Sequence, residues 1–507
     1  MIAIKSGAKT DAKTIDSPQR SFFGNAMWFS LGGFVMQGVG FAANLFFANI
    51  LGAGGNGQVA NYIYWQTLFT VVISWQINAT INNAAITFGR HRLDEYIFAL
   101  VRMCVLPFAI LLGATLAFPG FVGALCNLPP RVVTLGVVNA GLVSLVNIAS
   151  YACITLGKRL KYLAYTIGSS LLNVSASLGL IIFFRRYSIS SPANGRILGY
   201  TLGWLPAAAA ALYLMIRKRG DADKPKRAGF VRYALPLALP LVASEAAQVI
   251  LQRSNSHFTA RLIDDASGGL YSMANSIGGV GIMAAAALAG AWTPWYFRQS
   301  SKKRSGAVNR MIRKYIMFFA AFICGAMATL PDIPRWFFPK FAGCEVCLPP
   351  ILICGFSLFL YNMVANYHLL REKSYFITII SVAAGALSIA LSLTMIPKLG
   401  ILGAAAASLI CYLIQLAAVT VIARFVIKGL NIKISILLTG LLAVGLFAVF
   451  TYIFMDSWKI RWIAGALCGV YCLLNARRMM KPDEDTPVPF TPFSPDGKAR
   501  EIYLFYP

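Results

Sequence analysis

Phe47-Ala48-Asn49-Ile50-Leu51-Gly52-Ala53-Gly54-Gly55-Asn56-Gly57-Gln58-Val59-Ala60 is the stretch whose reading decides the fold. It carries no charge and sets glycines at 52, 54, 55 and 57 between two apolar runs, one beginning at Phe22 and one ending near Phe88. Each run exceeds the ~20 residues needed to cross hydrocarbon, so the two read as neighbouring spans joined by an outer turn. Gly269-Leu270-Tyr271-Ser272 echoes Gly57-Gln58-Val59-Ala60, and in both places the Gly follows an outer turn after a Phe (Phe47, Phe258). A second echo links Ile197-Leu198-Gly199, opening the sixth span, to Ile401-Leu402-Gly403, opening the twelfth. The span before each begins just past a short basic turn, Gly157-Lys158-Arg159 or Arg371-Glu372-Lys373. Six spans separate the copies, an even number, so both copies face the same way across the membrane. That is a parallel repeat about an axis along the membrane normal.

Composition agrees. The 507 residues are 58% hydrophobic and 12% charged, with a mean hydropathy of +0.67. Soluble chains carry about 25% charged residues, so the soluble and disordered classes are excluded. Lys and Arg number 45 against 18 Asp and Glu, a net charge of +27. A nucleic-acid binder gathers such charge on a polar surface. Here the basic residues punctuate apolar runs, which excludes nucleic acid and marks them as topogenic anchors. Fourteen stretches are long enough to span. The expected architecture is an all-α polytopic membrane protein with two six-helix lobes, residues 22–216 and 233–425, joined by a basic linker, 217–232. Two accessory spans follow within 426–476, and polar cytoplasmic tails occupy 1–21 and 477–507. Most Lys and Arg fall on the inner side in this arrangement, with Arg185, Arg186 and Arg196 as outer exceptions. Both termini are therefore expected in the cytoplasm.

Several chemistries lack their residues. No Gly-rich loop ends in Lys-Ser/Thr, so no ATPase engine is present. His91, His257 and His368 lie too far apart to suggest a metal site. A membrane enzyme would need clustered acids or His on a loop, and Asp264, Asp265, Asp332, Glu345 and Asp456 are scattered. The ten Cys form no framework; Cys344 and Cys347, in an outer loop, read as plain thiols or a local disulfide.

Polar residues at bilayer depth cost at least ~2.5–3.5 kcal/mol each when charged, and so call for a partner, water or a function. Glu245 is the one deep acid, near the middle of span seven. Gln248, Gln252, Arg253 and Ser256 fall within about 80° of it around the helix, and His257 follows near the outer end. Pro236 and Pro240 precede this face and are expected to bend the helix. Glu245 reads as a proton or cation relay and Arg253 as a substrate or ion-pair partner; the competing readings are a structural hydrogen bond and snorkelling. Gln37 and Asn44 in span one, and Gln76, Asn83 and Arg90 in span two, repeat at seven-residue spacing, as stripes facing a wet cavity would. Taken singly, each amide could instead bond between packed helices, for about 0.6 kcal/mol. Arg102, in span three, either meets an anionic head group, snorkels to the interface or pairs with Glu95.

The Leu51-Gly52 … Gly57 junction, the Gly269-Leu270-Tyr271-Ser272-Met273-Ala274 junction and Ala291-Trp292-Thr293-Pro294 resemble the bacterial polysaccharide-transporter family over residues 22–425. These are oligosaccharide-lipid flippases, in a superfamily shared with multidrug exporters and the peptidoglycan-precursor flippase. The resemblance implies two lobes around a hydrated cationic cavity. The cavity would open to each side in turn and move an undecaprenyl-diphosphate-linked glycan from the inner to the outer leaflet for surface polysaccharide synthesis. It implies no cofactor, coupling to H+ or Na+ in some members, and membrane lipid and a glycan polymerase or other assembly proteins as partners. Family members often carry Asp-Arg before the Phe of span seven, where this chain has Ser256-His257 before Phe258. That role is not transferable, and Glu245 is the available substitute. The two extra spans keep a peptidoglycan-precursor flippase open, and an acidic site at Glu245 keeps an ion-coupled exporter of cationic drugs open.

Overall fold

The computed structural model describes residues 18–89, 92–217, 228–301 and 305–479. Arg90, most of the 217–232 linker and nearly all of both expected tails lie outside the described residues. Sixteen α-helices follow one another: α1 (Pro18–Ser74), α2 (Ile81–Thr87), α3 (Leu93–Ala117), α4 (Pro119–Cys126), α5 (Pro130–Thr155), α6 (Arg159–Leu163), α7 (Ser169–Tyr187) and α8 (Pro192–Arg217), then α9 (Ala228–Leu262), α10 (Asp265–Ser301), α11 (Ser305–Thr329), α12 (Asp332–Phe337), α13 (Leu348–Leu370), α14 (Tyr375–Val421), α15 (Ile434–Ile453) and α16 (Trp458–Met479). No strand occurs among the described residues.

Among the described residues ten helices are long and apolar enough to cross a membrane, against fourteen stretches counted in the sequence. Two of the ten, α1 and α14, fold back at a glycine and each joins two of those stretches. Two further stretches, α10 and α16, are helical but outside the ten. The bends sit at Gly52 (φ 71°) and Gly400 (φ 60°), each after a Leu, in backbone that a side chain would strain. The chain is a multi-pass membrane protein. The end bearing Gly52 is called outer here, after the charge distribution.

The two largest clusters of buried apolar residues form a first core, from Val59 to Ala238, and a second, from Ala285 to Ala448. Within the first, α8 lies against α7 through Gly195, Gly199 and Gly203, where a Cβ would come within 2.9, 2.3 and 2.3 Å of the α7 backbone. Small residues at every fourth position let helices approach this closely in lipid. Within the second, α13 is buried nearly all round, as a uniformly apolar helix must be.

Helix α9 packs against both lobes. Its beginning, Phe230, Ala234 and Ala238, packs with the first core, where the Phe230 ring lies 5.0 Å from Phe88 and 5.6 Å from Tyr96. Its later part, at Leu251, packs with Cys354, Ala384, Cys411 and Tyr412 of the second lobe in a separate cluster. The accessory helices join the second lobe: Ile436, Leu437, Val444 and Ala448 of α15 enter its core. The Arg461 guanidinium of α16 donates to Asp332 at 2.5 Å with both side chains buried, and Trp462 donates to the same carboxylate at 2.7 Å. Cys344 and Cys347 are buried free thiols.

Candidate functional site

The two echoed junctions meet each other at the outer end. A Cβ on Gly57 would lie 1.9 Å from the Asp265 carbonyl oxygen, and a Cβ on Gly269 would lie 1.9 Å from that of Ala53. Each glycine thus admits the other junction's backbone, in a reciprocal contact that follows the internal repeat. Around it, Asn56 Nδ2 donates to the Gly269 carbonyl (3.2 Å) and Gln58 Nε2 to Asp265 (3.2 Å). Asn61 and His257 are bonded at 2.8 Å, with His257 stacked on Tyr64 at 5.4 Å. These contacts seal the outer seam between α1 and the α9–α10 pair.

Beneath the seam is a cavity of about 70 Å³, whose polar lining comes from Asn44, Asn56, Arg253, Ser256, Ser272, Asn275 and Ser276. Arg253 is exposed by accessible surface and lines this cavity. It makes no hydrogen bond or ion pair to any described residue. Glu245 stands eight residues earlier on α9, about 12 Å along the axis, half-buried, and it too lacks a bonding partner among the described residues. A larger dimple of about 500 Å³, between Gly120 and Pro130, lies at the α4–α5 turn and contains no ionisable side chain.

Of the residues picked out by sequence, Asn44 and Arg253 line the cavity together, and Gln252 is half-buried on the same helix. Others are placed elsewhere. Gln248 Nε2 donates to Ser381 Oγ at 3.2 Å, so it bonds α9 to α14 rather than facing the vestibule. His257 is consumed in the seam. Arg102 shares the exposed face of α3 with Val105, Leu106 and Ile110, which turns it toward lipid, and Glu95 pairs with Arg92 at 3.4 Å instead. Gln76 and Asn83 do not form one stripe: Trp75 and Gln76 adopt left-handed backbone (φ 48° and 50°), so the two sit on separate helical pieces, and Arg90 lies outside the described residues. Of Gln37 only the helical backbone is described.

Ser256 was named on the polar face of span seven, whereas Asn56, Ser272, Asn275 and Ser276 carried no such reading. Asn56 and Ser272 lie inside the echoed junctions, which were the available signal. In the second lobe, Asn255 Nδ2 donates to the Ala404 carbonyl (3.0 Å) and to Ser408 (2.5 Å), and Ser392 donates to Asn255. This is a closed polar knot that joins α9 to both arms of α14.

Known proteins can now be set beside this geometry. The chain resembles "Lipid II flippase MurJ, inward closed conformation" with a TM-score of 0.64 at 15% identity, covering 90% of this chain and 100% of that one. It resembles an inward-facing "multidrug resistance MATE family transporter of the MOP superfamily" with a TM-score of 0.62 at 12% identity, over 77% of this chain and 94% of that one. The Vibrio cholerae MATE transporter VcmN in its bent form gives 0.51 at 13% identity, over 84% and 98%. At these identities the likeness establishes the fold. No curated sequence matches the chain. Residues 22–300, more than half of the 507, match the profile of the polysaccharide biosynthesis protein family, and the chain belongs to that family.

Proposed function

We propose that this protein is a flippase that carries an undecaprenyl-diphosphate-linked oligosaccharide from the inner to the outer leaflet by alternating access, in the inner membrane, for surface polysaccharide synthesis. One observation carries the reading: Arg253, a guanidinium with no anionic partner among the described residues, lines a cavity of neutral hydrogen-bonding groups under the outer seam. A sugar–diphosphate head group needs hydroxyl-compatible amides and serines together with a cation for its phosphates. The lipid tail needs neither, because it can remain in acyl chains between the lobes. Glu245 would take the coupling proton or Na+ on the path below Arg253. A glycan polymerase that accepts the delivered unit is the natural partner.

The test is reconstitution in liposomes with a fluorescent lipid-linked oligosaccharide, comparing the native chain with Arg253→Ala and Glu245→Gln. Loss of flipping in both supports the assignment; unchanged flipping in both removes it. A second reading, flipping of a peptidoglycan precursor, is favoured by the match along the whole length of the lipid II flippase. Offering lipid II in the same liposomes separates the two. Export of cationic drugs fits poorly with an unpaired Arg253 in the cavity.

A further inference from the structure

Arg196 is the feature that this reading leaves unused. It lies in the first turns of α8, 4% exposed, inside the first lobe. Its guanidinium carbon sits 4.2 Å from the ring centre of Phe47 on α1 and 5.4 Å from that of Tyr200. Nη1 donates to Asn173 Oδ1 at 2.9 Å and to Ser177 Oγ at 2.5 Å, both on α7. The glycine contacts of α8 press the two helices together at this level. Two aromatic faces, an amide oxygen and a hydroxyl are the parts of a cation-recognition pocket. No carboxylate takes part. Between residues 18 and 217 the only acids are Asp94 and Glu95, in the first turn of α3 at the opposite, inner end. The charge of Arg196 is therefore held by neutral groups alone, and buried charges are ordinarily paired. Phe47, against which Arg196 lies, stands one helical turn from Asn44 on α1, and Asn44 lines the cavity with Arg253.

We infer that Arg196 is a resident cation: its guanidinium permanently fills a cation-recognition pocket of the first lobe, so that this lobe refuses positively charged cargo and favours an anion at Arg253. The second half of this inference rests on the proposed function; the first half stands without it. Arg196 acts through its field and touches no cargo, so it is a specificity-determining rather than a contacting residue.

The pocket is tested by chemical rescue in the purified full-length protein. Arg196→Ala lowers the melting temperature, and about 10 mM methylguanidinium chloride restores at least half of the loss by mass action, whereas equal methylammonium or sodium chloride does not. An equal response to all three salts overturns the inference. Should Arg196→Ala fail to fold, Arg196→Met keeps the volume without the charge, and its binding of inorganic pyrophosphate is measured against the native chain. A loss of about tenfold is expected in Arg196→Met, with Arg196→Lys within about threefold of the native chain. Native affinity in Arg196→Met overturns the inference. If the native chain binds no pyrophosphate, Arg253 loses its assigned role, while methylguanidinium rescue still decides whether Arg196 fills a pocket.

Discussion

At the scale of single residues, bonded and unbonded side chains separate structural from functional roles. Arg253 makes no bond to a described residue, so Arg253→Ala is expected to leave the melting temperature almost unchanged while flipping falls at least about tenfold. Asp332 behaves oppositely. It neutralises the fully buried Arg461, so Asp332→Asn strands a charge and should cost about 3–5 kcal/mol, read as a lower melting temperature. Asp264 offers a dependence on pH. The Ser267 backbone N–H donates to its Oδ1 at 2.6 Å at the start of α10, and this bond, followed by the Ser267 hydroxyl, holds the carboxyl below the usual aspartate range. A folded-state pKa below the unfolded value of about 3.9 contributes stability above that pH, and the contribution disappears as pH falls through the folded value. The start of α10, next to the seam, is therefore expected to loosen below about pH 4. Amide exchange of residues 265–269 should show this loosening, and it should be absent in Asp264→Asn, which still caps the helix.

At the scale of elements, the outer seam is a contact between two backbones, made possible by Gly57 and Gly269. A valine at either position would collide with a carbonyl belonging to the other junction, which cannot move aside as a flexible side chain can. Gly57→Val is expected to fold, since each lobe keeps its own core, but to fail to seal. Double electron–electron resonance between labels placed on the outer ends of α1 and α10 should report a longer and broader distance, and flipping should stall. An unchanged distance would show that the seam does not depend on glycine. The same geometry explains α9. Its beginning is fixed to the first lobe by Phe230 and Tyr233, with the Tyr233 hydroxyl 3.1 Å from Thr87 Oγ1, and its later part is fixed to the second lobe by Gln248 and Asn255. Movement of the lobes must therefore pass through this helix, and Pro236 and Pro240 lie between the two anchorages.

At the scale of the whole molecule, a sealed outer end with a polar cavity below it predicts one-sided access. In Arg253→Cys, a membrane-impermeant thiol reagent should label from the inner side only, and adding Gly57→Val should admit it from the outside. The parent chain serves as the blank, since eight of its ten cysteines are buried. Much of this was legible in the sequence. The pairing of Gly57 with Gly269 was visible as a repeat, and the unpaired Arg253 as a charge at bilayer depth. The Gln76 stripe was misleading because no Pro or Gly marks the break at Trp75 and Gln76. Arg196 was hidden because the Ser190-Ser191-Pro192 segment reads as an outer loop, although α8 begins at Pro192. By itself the sequence determined the membrane class, the apolar stretches and the twofold repeat, because transfer of a helix into lipid is a sum over its own residues. Only the tertiary structure decided that Gln248 bonds to Ser381, that His257 closes a seam and that Arg196 is caged. A polar side chain takes its role from whichever donor or acceptor a distant helix brings within 3 Å, and no local pattern encodes that.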